Sequence, residues 1–465
     1  MSSSPLGAVH VQDREIEAIP KPRSVGCLAV LCMTPDPGHL IPLLKIAAYI
    51  REHVREVQII VPDELQHMAA LYGVQCHTFG AVKPNVDYAC VEAYLRASGI
   101  ARLLKYNRLL HHEFLIPLMR NVRNGVDKIR DLLDVISPTI ILADEHIFSR
   151  ECIRLAEGCG VPILLHKITA HLELNTDTFS FGSIDAPDLR YLVRDFGKAI
   201  SGELKFLGRR LISAKAGRRR LEFERSIFCG DSFVRNGNIL KIASGTSLLE
   251  KLYLSDVLKL DQQRFVVPLL PSLQCSARQE TYDWLNNGHG DVIYISFGTV
   301  VVPSPKLLNS LIKEFVSRGK RVLVQTPAIT EYHKHGLVRY ERWVSQPTVL
   351  ANAAVKLFVS HSGAGALQEA IWAGQPMLCI PHGFDHYYCA WVARELGVGM
   401  VLNGHRFQFI NLIPKKVGRL FSELPSMAKR AQQLSMEVRS HLHTWNSRDL
   451  WKDLLPAAPA QERMS

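Results

Sequence analysis

The chain lacks the sequence patterns that identify several common protein classes. Its ten cysteines form no Cys-x-x-Cys pair and show no cysteine–histidine spacing typical of a zinc site. It contains neither a His-Glu-x-x-His motif nor the glycine-rich phosphate-binding loop of ATPases. It has no apolar run near the roughly 18 residues that a membrane span needs, and no secretion signal at its start. We therefore expect a soluble, cytoplasmic protein without a transmembrane segment.

The composition is that of a globular protein with an excess of basic residues. Hydrophobic residues make up 47% and charged residues 21% of the 465-residue chain, and the formal net charge is +11. A chain of this length predicts two or three domains. The basic residues are mostly scattered, and we expect no nucleic-acid partner. One dense run, 208–220, is interpreted first as a solvated face or loop and second as a weak contact with an anionic membrane surface.

Several cysteines lie inside apolar, strand-like runs. Cys27, Cys32 and Cys379 are three of them. This placement is typical of free, reduced and buried thiols. We therefore predict that these cysteines form no disulfides.

The first half of the chain alternates short apolar, β-branched runs with helical segments. Such alternation predicts a parallel sheet with helices on both faces. A long helical stretch is predicted over 86–135, with a break around 121–125. The predicted strands cover 25–33, 57–62, 73–80, 139–143, 161–165, 239–246 and 264–270.

A second alternating series follows a polar stretch at 271–290, which we interpret as an interdomain linker. Two such α/β layers facing each other form a cleft at the carboxyl ends of their strands, where open α/β sheets bind ligands. The predicted strands of the second series cover 291–299, 321–326, 341–346, 354–360 and 376–381, with helices at 304–318 and from 363. The predicted divisions are a polar leader 1–24, a domain 25–270, the linker, a domain 291–427, and helices over 428–465 that pack back towards the first domain and end in a flexible tail.

The second domain contains a pattern suited to binding an anion. A strand ends at His361, and the small residues 362–366 open a helix. Such a turn presents backbone N–H groups and the positive end of the helix dipole to a phosphate or diphosphate. The Gly-Ala-Gly does not continue into a dinucleotide fingerprint, because Gln368 occupies the position of the third glycine. A turn used only for close strand–helix packing remains an equal alternative.

The region 341–402 resembles the nucleotide-sugar motif of the UDP-dependent glycosyltransferases that act on small molecules, glycosyltransferase family 1. The segments 34–47, 141–165 and 283–299 are also similar to segments of that family, so the resemblance extends over about residues 25–400. It implies an α/β fold of the GT-B type, in which two Rossmann-like parallel-sheet domains face each other across a cleft. The matching motif residues are Trp343, Gln346, His361, Gly363, Glu369, Pro376, Met377 and Asp385.

The resemblance implies a UDP-sugar as donor and co-substrate, with no cofactor and no metal. The uracil ring would stack on Trp343, and Gln346 with the backbone of Val344 would bind its edge. Glu369, expected on the first turn of the helix, would accept hydrogen bonds from the ribose hydroxyls. The diphosphate would lie against Gly298, Thr299, His361, Gly363, Ala364, Gly365 and Ala366, and the sugar against Asp385 and His386.

The resemblance also implies an inverting transfer to a hydroxyl group, or to another nucleophile, of a small, lipophilic, hydroxylated acceptor. His39, expected in a turn before a helix, would be the general base, and an imidazole with an ordinary pKa near 6.5 suits that role. Asp144, at the end of a predicted strand, would hold the imidazole and stabilise its protonated form. The stretches 86–115 and 165–200 are expected to contribute to the acceptor cavity.

Three departures from the family pattern keep alternatives open. Gly365 and Ala366 stand where many relatives have Asn and Ser or Thr, which removes two side-chain contacts to phosphate. His386 replaces the usual Gln, so the donor sugar could be glucose or galactose, and Cys389 replaces an Asn. The alternatives are a catalytically silent nucleotide-sugar binder that assists another enzyme, and a UDP-sugar hydrolase or epimerase of the same fold.

Overall fold

The computed structural model describes two α/β units, each built on a parallel sheet. Strand order is β3-β2-β1-β4-β5-β6-β7 in the first sheet and β10-β9-β8-β11-β12-β13 in the second. All the pairings in both sheets are parallel. The described residues are 25–71, 75–83, 116–144, 148–167, 239–244, 264–267, 279–298, 301, 303–326, 336–382, 386–402 and 413–444.

The first sheet confirms the parallel α/β arrangement expected for the N-terminal half. Its central strand, β1, is apolar along almost its whole length because helices cover both of its faces. The strands are β1 (Val25–Leu31), β2 (Val54–Val61), β3 (Gln75–Thr78), β4 (Ile140–Asp144), β5 (Ile163–Lys167), β6 (Ile239–Ser244) and β7 (Arg264–Val267). The helices described here are α1 (Pro37–Ile50), α2 (Gln66–Leu71), α3 (Ile116–Ile136) and α4 (Ser149–Cys159).

Helix α3 is continuous through 121–125, so the predicted break there was wrong. Gly125 is small because α3 packs closely on the loop after β3. A Cβ at this position would lie 2.6 Å from Cδ2 of Phe79. Asn121 also stays helical, and its Nδ2 donates to the carbonyl of Val82 at 3.1 Å. These two residues therefore serve packing and anchoring, and neither ends the helix.

The second sheet has the six-strand order of a complete Rossmann fold. Its central strands, β8 and β11, are buried between two apolar clusters, one on each face of the sheet. The strands are β8 (Val292–Ser296), β9 (Arg321–Gln325), β10 (Val338–Glu341), β11 (Val355–Ser360), β12 (Met377–Cys379) and β13 (Gly399–Val401). The helices are α5 (Gln279–Asn287), α6 (Pro305–Val316), α7 (Gln346–Leu350), α8 (Ala364–Ala373), α9 (His386–Glu395) and α10 (Ile413–Thr444).

The strand predicted at 341–346 was wrong in position. The strand is β10, which ends at Glu341, and the residues after it lead into α7. Pro347 explains the difference, because proline favours the first helical turn and cannot donate within a strand. The segment that carries Trp343 is therefore a loop at the carboxyl edge of the sheet.

The predicted linker 271–290 includes a helix, α5, over Gln279–Asn287. Leu285 of α5 is fully buried in the core of the C-terminal domain, with Trp284 packed against the same cluster. The guanidinium of Arg321 stacks over the Trp284 ring and donates to backbone carbonyls of α5. The second part of this stretch is thus part of the C-terminal domain, because its apolar side chains have a core to join.

The boundary predicted between 427 and 428 falls inside the single helix α10. Residues on both sides of that point, including Leu420 and Leu434, are buried against the C-terminal sheet and its helices. Ser435 Oγ also donates to the carbonyl of Trp372 at 2.6 Å. The described helix therefore packs on its own domain. A return towards the N-terminal domain would fall to 445–465, which lie outside the described residues.

The prediction of free, buried thiols is confirmed for the three cysteines on which it was based. Cys27, Cys32 and Cys379 are buried and form no disulfide. Burial raises the pKa of Cys27 to about 11 and that of Cys379 to about 12. These thiols are therefore kept protonated near neutral pH.

Candidate active site

His39 lies in the first turn of α1, not in a turn before the helix as expected. The helix begins directly at Pro37 because Asp36 caps it, with its Oδ1 accepting from the N–H of Gly38 at 2.7 Å. Proline at the first helical position fits the same geometry. The local sequence therefore holds His39 at the carboxyl end of β1, next to the point where the strand order reverses.

The imidazole of His39 and the carboxylate of Asp144 form a close pair. His39 Nδ1 is 2.7 Å from Asp144 Oδ2, and the two side chains are 27% and 14% exposed. Asp144 ends β4, which pairs directly with β1, so two neighbouring strands bring the two residues together. An ionised carboxylate only accepts hydrogen bonds, so Nδ1 carries the proton and Nε2 is the acceptor atom of the ring. The pairing expected from the sequence is present.

The surroundings of Asp144 are apolar on one side. His166 is its register partner on β5 and is fully buried, and burial lowers the pKa of this imidazole to about 4. A small pocket opens beside the carboxylate, lined by Leu31, Met33, Thr34, Asp144, Phe148 and Cys152. Of the stretches 86–115 and 165–200, predicted to help form an acceptor cavity, only 165–167 at the end of β5 belong to the described residues.

The anion turn of the C-terminal domain is built around His361. Ser362, immediately after it, has a φ of 65°, a conformation that is uncommon for a residue other than glycine and marks local strain. The imidazole lies against two glycines: a Cβ would come within 2.7 Å of the ring at Gly298 and 2.6 Å at Gly363. Gly298 also needs its left-handed φ of 72°. The turn is thus strained at Ser362 and packed closely around the imidazole of His361.

Helix α8 starts directly after this turn. Its N-cap residue, Gly363, has no side chain that could accept a hydrogen bond from the N–H groups of Gly365 and Ala366 in the first turn. The helix dipole adds positive potential at this end of the helix. The turn lies at the carboxyl edge of the second sheet, at the switch point between β8 and β11, and the anion site predicted there from the sequence stays a prediction.

Glu369 lies in the second turn of α8, one turn later than expected, and is 9% exposed. Its Oε2 accepts from Nε2 of Gln346 at 2.8 Å. Its Oε1 accepts from Nζ of Lys45 at 3.1 Å. Lys45 belongs to α1, so this contact joins the two domains at the candidate site.

Three further predicted donor residues, Trp343, Val344 and His386, follow strands at the same edge of the sheet. Trp343 is 38% exposed, which leaves a large part of its ring accessible, whereas Val344 beside it is buried. His386 begins α9 and is buried, and its ring meets that of His361 edge-to-face with 4.5 Å between centroids. Thr299 and Asp385 lie outside the described residues.

Sequence reasoning missed Lys45 and did not foresee the strained backbone of Ser362. Lys45 is the only charged residue in the apolar run 40–50 of α1, and that isolation is the signal that could have drawn attention to it. The strained backbone of Ser362 has no comparable signal in the sequence, because serine rarely adopts a positive φ.

The described part of the chain offers neither a cluster of metal ligands nor a helix suited to a membrane. No three His, Cys, Asp or Glu side chains there lie close enough together to hold a metal ion. In the same ranges, no helix is both long and apolar enough to cross a bilayer.

Comparison with known proteins identifies the C-terminal segment. The sequence model described as "UDP-glucoronosyl and UDP-glucosyl transferase" matches residues 269–405. This segment belongs to the UDP-glycosyltransferase family. The match confirms the resemblance predicted from the sequence, and it covers α5 and every strand of the second sheet, from β8 to β13.

Curated UDP-glycosyltransferases match part of the chain. Anthocyanidin 3-O-glucosyltransferase 2 of Fragaria ananassa is 29% identical over 134 residues, which are 27% of this chain and 29% of the relative. UDP-glycosyltransferase CGT of Oryza sativa subsp. japonica is 30% identical over 201 residues, or 36% and 42% of the two chains. Anthocyanidin 3-O-galactosyltransferase 3GT1 of Rhododendron delavayi is 31% identical over 136 residues, or 27% and 29%. The chain thus matches less than half the length of each.

Solved structures of glycosyltransferases match nearly the whole chain. The glycotransferase of kitacinnamycin has a TM-score of 0.63 at 19% identity and covers 94% of this chain and 100% of its own. Phytolacca americana UGT2, complexed with UDP-2-fluoro-glucose and pterostilbene, has a TM-score of 0.61 at 18% identity and covers 89% and 95%. At this level of identity the likeness concerns the fold, and the predicted GT-B fold is confirmed.

Proposed function

We propose that this chain is an inverting glycosyltransferase that moves a sugar from a UDP-sugar to a hydroxyl group of a small lipophilic acceptor. The observation that carries the proposal is the arrangement of two chemically different sites at facing sheet edges. The His39–Asp144 pair lies at the strand-order switch of one sheet, and the turn at His361 lies at the switch of the other. The Lys45–Glu369 contact supports a common cleft between them.

The donor half binds UDP through three kinds of group. The exposed ring of Trp343 stacks on uracil, and the carboxylate of Glu369 accepts from the ribose hydroxyls. His361 and the first-turn N–H groups of α8 bind the diphosphate and stabilise its charge as the bond to the sugar breaks. Donors already in place in this way need little rearrangement during the reaction.

The acceptor half supplies the base. Nε2 of His39 removes the proton from the acceptor hydroxyl, whose oxygen then attacks the anomeric carbon from the face opposite the diphosphate. A carbon–oxygen bond to the acceptor forms, the bond to UDP breaks, and the proton stays on His39 until the product leaves. Asp144 stabilises the imidazolium through its 2.7 Å contact with Nδ1. Attack from the opposite face inverts the anomeric configuration.

The donor sugar is proposed to meet His386 and Asp385. The ring of His386 packs on the ring of His361. His386, proposed to contact the sugar, is therefore next to His361, proposed to contact the diphosphate. The relatives include a glucosyltransferase and a galactosyltransferase. We therefore propose a hexose donor, with glucose and galactose as the two candidates.

The test measures UDP release from UDP-glucose and UDP-galactose with pools of phenolic, sterol and polyketide acceptors. Wild type should release UDP only when an acceptor is present, and His39→Ala should reduce the rate by about 10²–10⁴-fold, the usual contribution of a general base. The control is His67→Ala, which removes an exposed histidine on α2 and should leave the rate unchanged.

Three other results would each contradict the proposal. Release without an acceptor indicates a hydrolase. UDP binding with no release from any sugar indicates a silent partner protein, an alternative that the small residues Gly365 and Ala366 keep open. Full activity in His39→Ala would exclude His39 as the base.

A further inference from the structure

The carboxylate of Glu369 has a partner from the opposite domain. Nζ of Lys45 is 3.1 Å from Oε1, although the two residues are 324 positions apart in the chain. Each side chain is about 10% exposed. A charge pair this well shielded from water interacts more strongly than one on the open surface. The contact thus joins α1 of the N-terminal domain to α8 of the C-terminal domain at the proposed ribose site.

The second carboxylate oxygen is held from within the C-terminal domain. Nε2 of Gln346 donates to Oε2 of Glu369 at 2.8 Å. The carboxylate of Glu369 is thus fixed at both oxygens, one from each domain. An ionised carboxylate offers about four acceptor positions, so roughly two remain for the ribose hydroxyls. Lys45 and the nucleotide can therefore bind Glu369 at the same time.

We propose that Lys45 is a donor-positioning residue: the acceptor domain uses it to hold Glu369 in the orientation that receives the ribose hydroxyls. This inference rests on the proposed function, because it assumes that UDP binds at Glu369. It implies that the C-terminal domain alone does not form the complete ribose site. The ribose site is complete only when α1 is docked against α8.

The position of Lys45 supports this role over that of an ordinary surface lysine. Leu44 and Ile46 on either side are buried in the N-terminal core, so the chain holds α1 firmly at this point. His39, the proposed base, lies six residues earlier on the same helix. The helix that carries the base therefore also contacts the donor site.

The first experiment measures UDP binding by calorimetry for wild type, Lys45→Met and Lys45→Arg. Lys45→Met should weaken binding about tenfold, the usual effect of losing a hydrogen bond to a charged group, and Lys45→Arg should restore most of it. The control is Lys320→Met. Lys320 Nζ pairs with Asp291 at 2.6 Å at the opposite, amino edge of the second sheet, so UDP binding should not change.

The second experiment separates positioning of the carboxylate from simple attraction of phosphate. With 2′,3′-dideoxy-UDP, which lacks both ribose hydroxyls, Lys45→Met should change affinity less than about twofold. The same small effect is expected for UDP in a Glu369→Gln background. Thermal unfolding of each variant checks that it is folded.

Two outcomes overturn the inference while leaving the proposed function intact. One is unchanged UDP binding by folded Lys45→Met. The other is an equal loss for UDP and its dideoxy analogue, which would mean that Lys45 acts on the diphosphate. Failure of the wild-type protein to bind UDP is a different result, and it would overturn the proposed function together with this inference.

Discussion

Gly298 and Gly363 both lie against the imidazole ring of His361, and neither leaves space for a methyl group. At Gly363 the backbone φ is −63°, so alanine is allowed there and only the contact with the ring changes. The proposed diphosphate site is thus sensitive to a single carbon atom, and this sensitivity can be tested without straining the backbone.

We expect Gly363→Ala to weaken UDP binding about tenfold. The new Cβ would lie 2.6 Å from Nε2 of His361 and would displace the ring that is proposed to donate to the diphosphate. Calorimetric titration with UDP measures the effect. Gly158→Ala is the control, because a Cβ there meets nothing within 4 Å. It should leave UDP binding unchanged and stabilise α4 by up to about 1 kcal/mol. Unaltered binding by Gly363→Ala would contradict the proposed role of His361.

His166 predicts a specific dependence of stability on pH. Burial lowers the pKa of its imidazole to about 4, against about 6.5 in an unfolded chain. Between these values the unfolded state binds more protons than the folded state, so the free energy of unfolding falls as the pH falls from 6.5 towards 4. The loss at pH 4 is on the order of 3 kcal/mol, and no contribution is expected above pH 6.5.

Urea denaturation of wild type and His166→Gln at pH 7.5, 5.5 and 4.5 measures this dependence. The difference in unfolding free energy between the two proteins should shrink as the pH falls, because the variant has no imidazole to protonate. A constant difference over this range would contradict the assignment of a buried, neutral His166.

The pairing of His39 with Asp144 was implied by the family resemblance, and the structure allows it because both residues lie at the carboxyl ends of neighbouring parallel strands. The sequence was not sufficient for Lys45 and Glu369. Their contact depends on how two separately folded domains pack, and no local pattern encodes that packing. Glu369 is the sixth residue of α8, which starts at Ala364, and it lies in the second turn; the predicted start at 363 gives the same turn, so the expected first-turn position was wrong.

At the scale of elements, α1 depends on its N-cap. The side chain of Asp36 accepts from Gly38 N at 2.7 Å, and this contact defines the turn in which His39 lies. We expect Asp36→Ala to lower the free energy of unfolding by about 1 kcal/mol, the usual effect of removing such a cap. It should also reduce the rate of sugar transfer, because the proposed base sits on the turn that frays.

Thermal unfolding and steady-state rates measure the two effects of this change. Asp36→Ser keeps a capping oxygen and is the matched control, which should retain most of both properties. Loss of stability with full activity in Asp36→Ala would show that the position of His39 does not depend on the cap.

Strand positions were predictable wherever an apolar, β-branched run was bounded by polar residues, as for β1, β4 and β11. The errors in element positions occurred at residue types that are common in more than one kind of local structure. Gly125 resembled a helix break but serves close packing against Phe79. The apolar residues near Trp343 resembled a strand, but Pro347 starts a helix there. A tertiary contact decided the first case, and the local chemistry of proline decided the second.

At the scale of the whole molecule, the repeated alternation of strands and helices was enough to predict two parallel sheets with a cleft between them, and the family resemblance implied the GT-B type of fold. Boundaries were less predictable. The polar composition of 271–290 concealed α5, whose few apolar residues join the C-terminal core. The 32-residue helix α10 crosses an expected boundary because its apolar stripe continues without interruption. A domain boundary lies where the buried core of that domain ends, and amino-acid composition is a poor indicator of this position.

The two groups that α1 brings to the cleft are separated by a fixed length. His39 and Lys45 are six residues apart on one helix, a rise of about 9 Å at 1.5 Å per residue. Under the proposed function, α1 sets the distance between the group that takes the acceptor proton and the group that contacts the ribose site. Because both groups belong to one helix, this distance stays the same when the two domains move relative to each other. Donors of very different size would therefore have to be accommodated by the sugar pocket and not by the spacing between base and nucleotide.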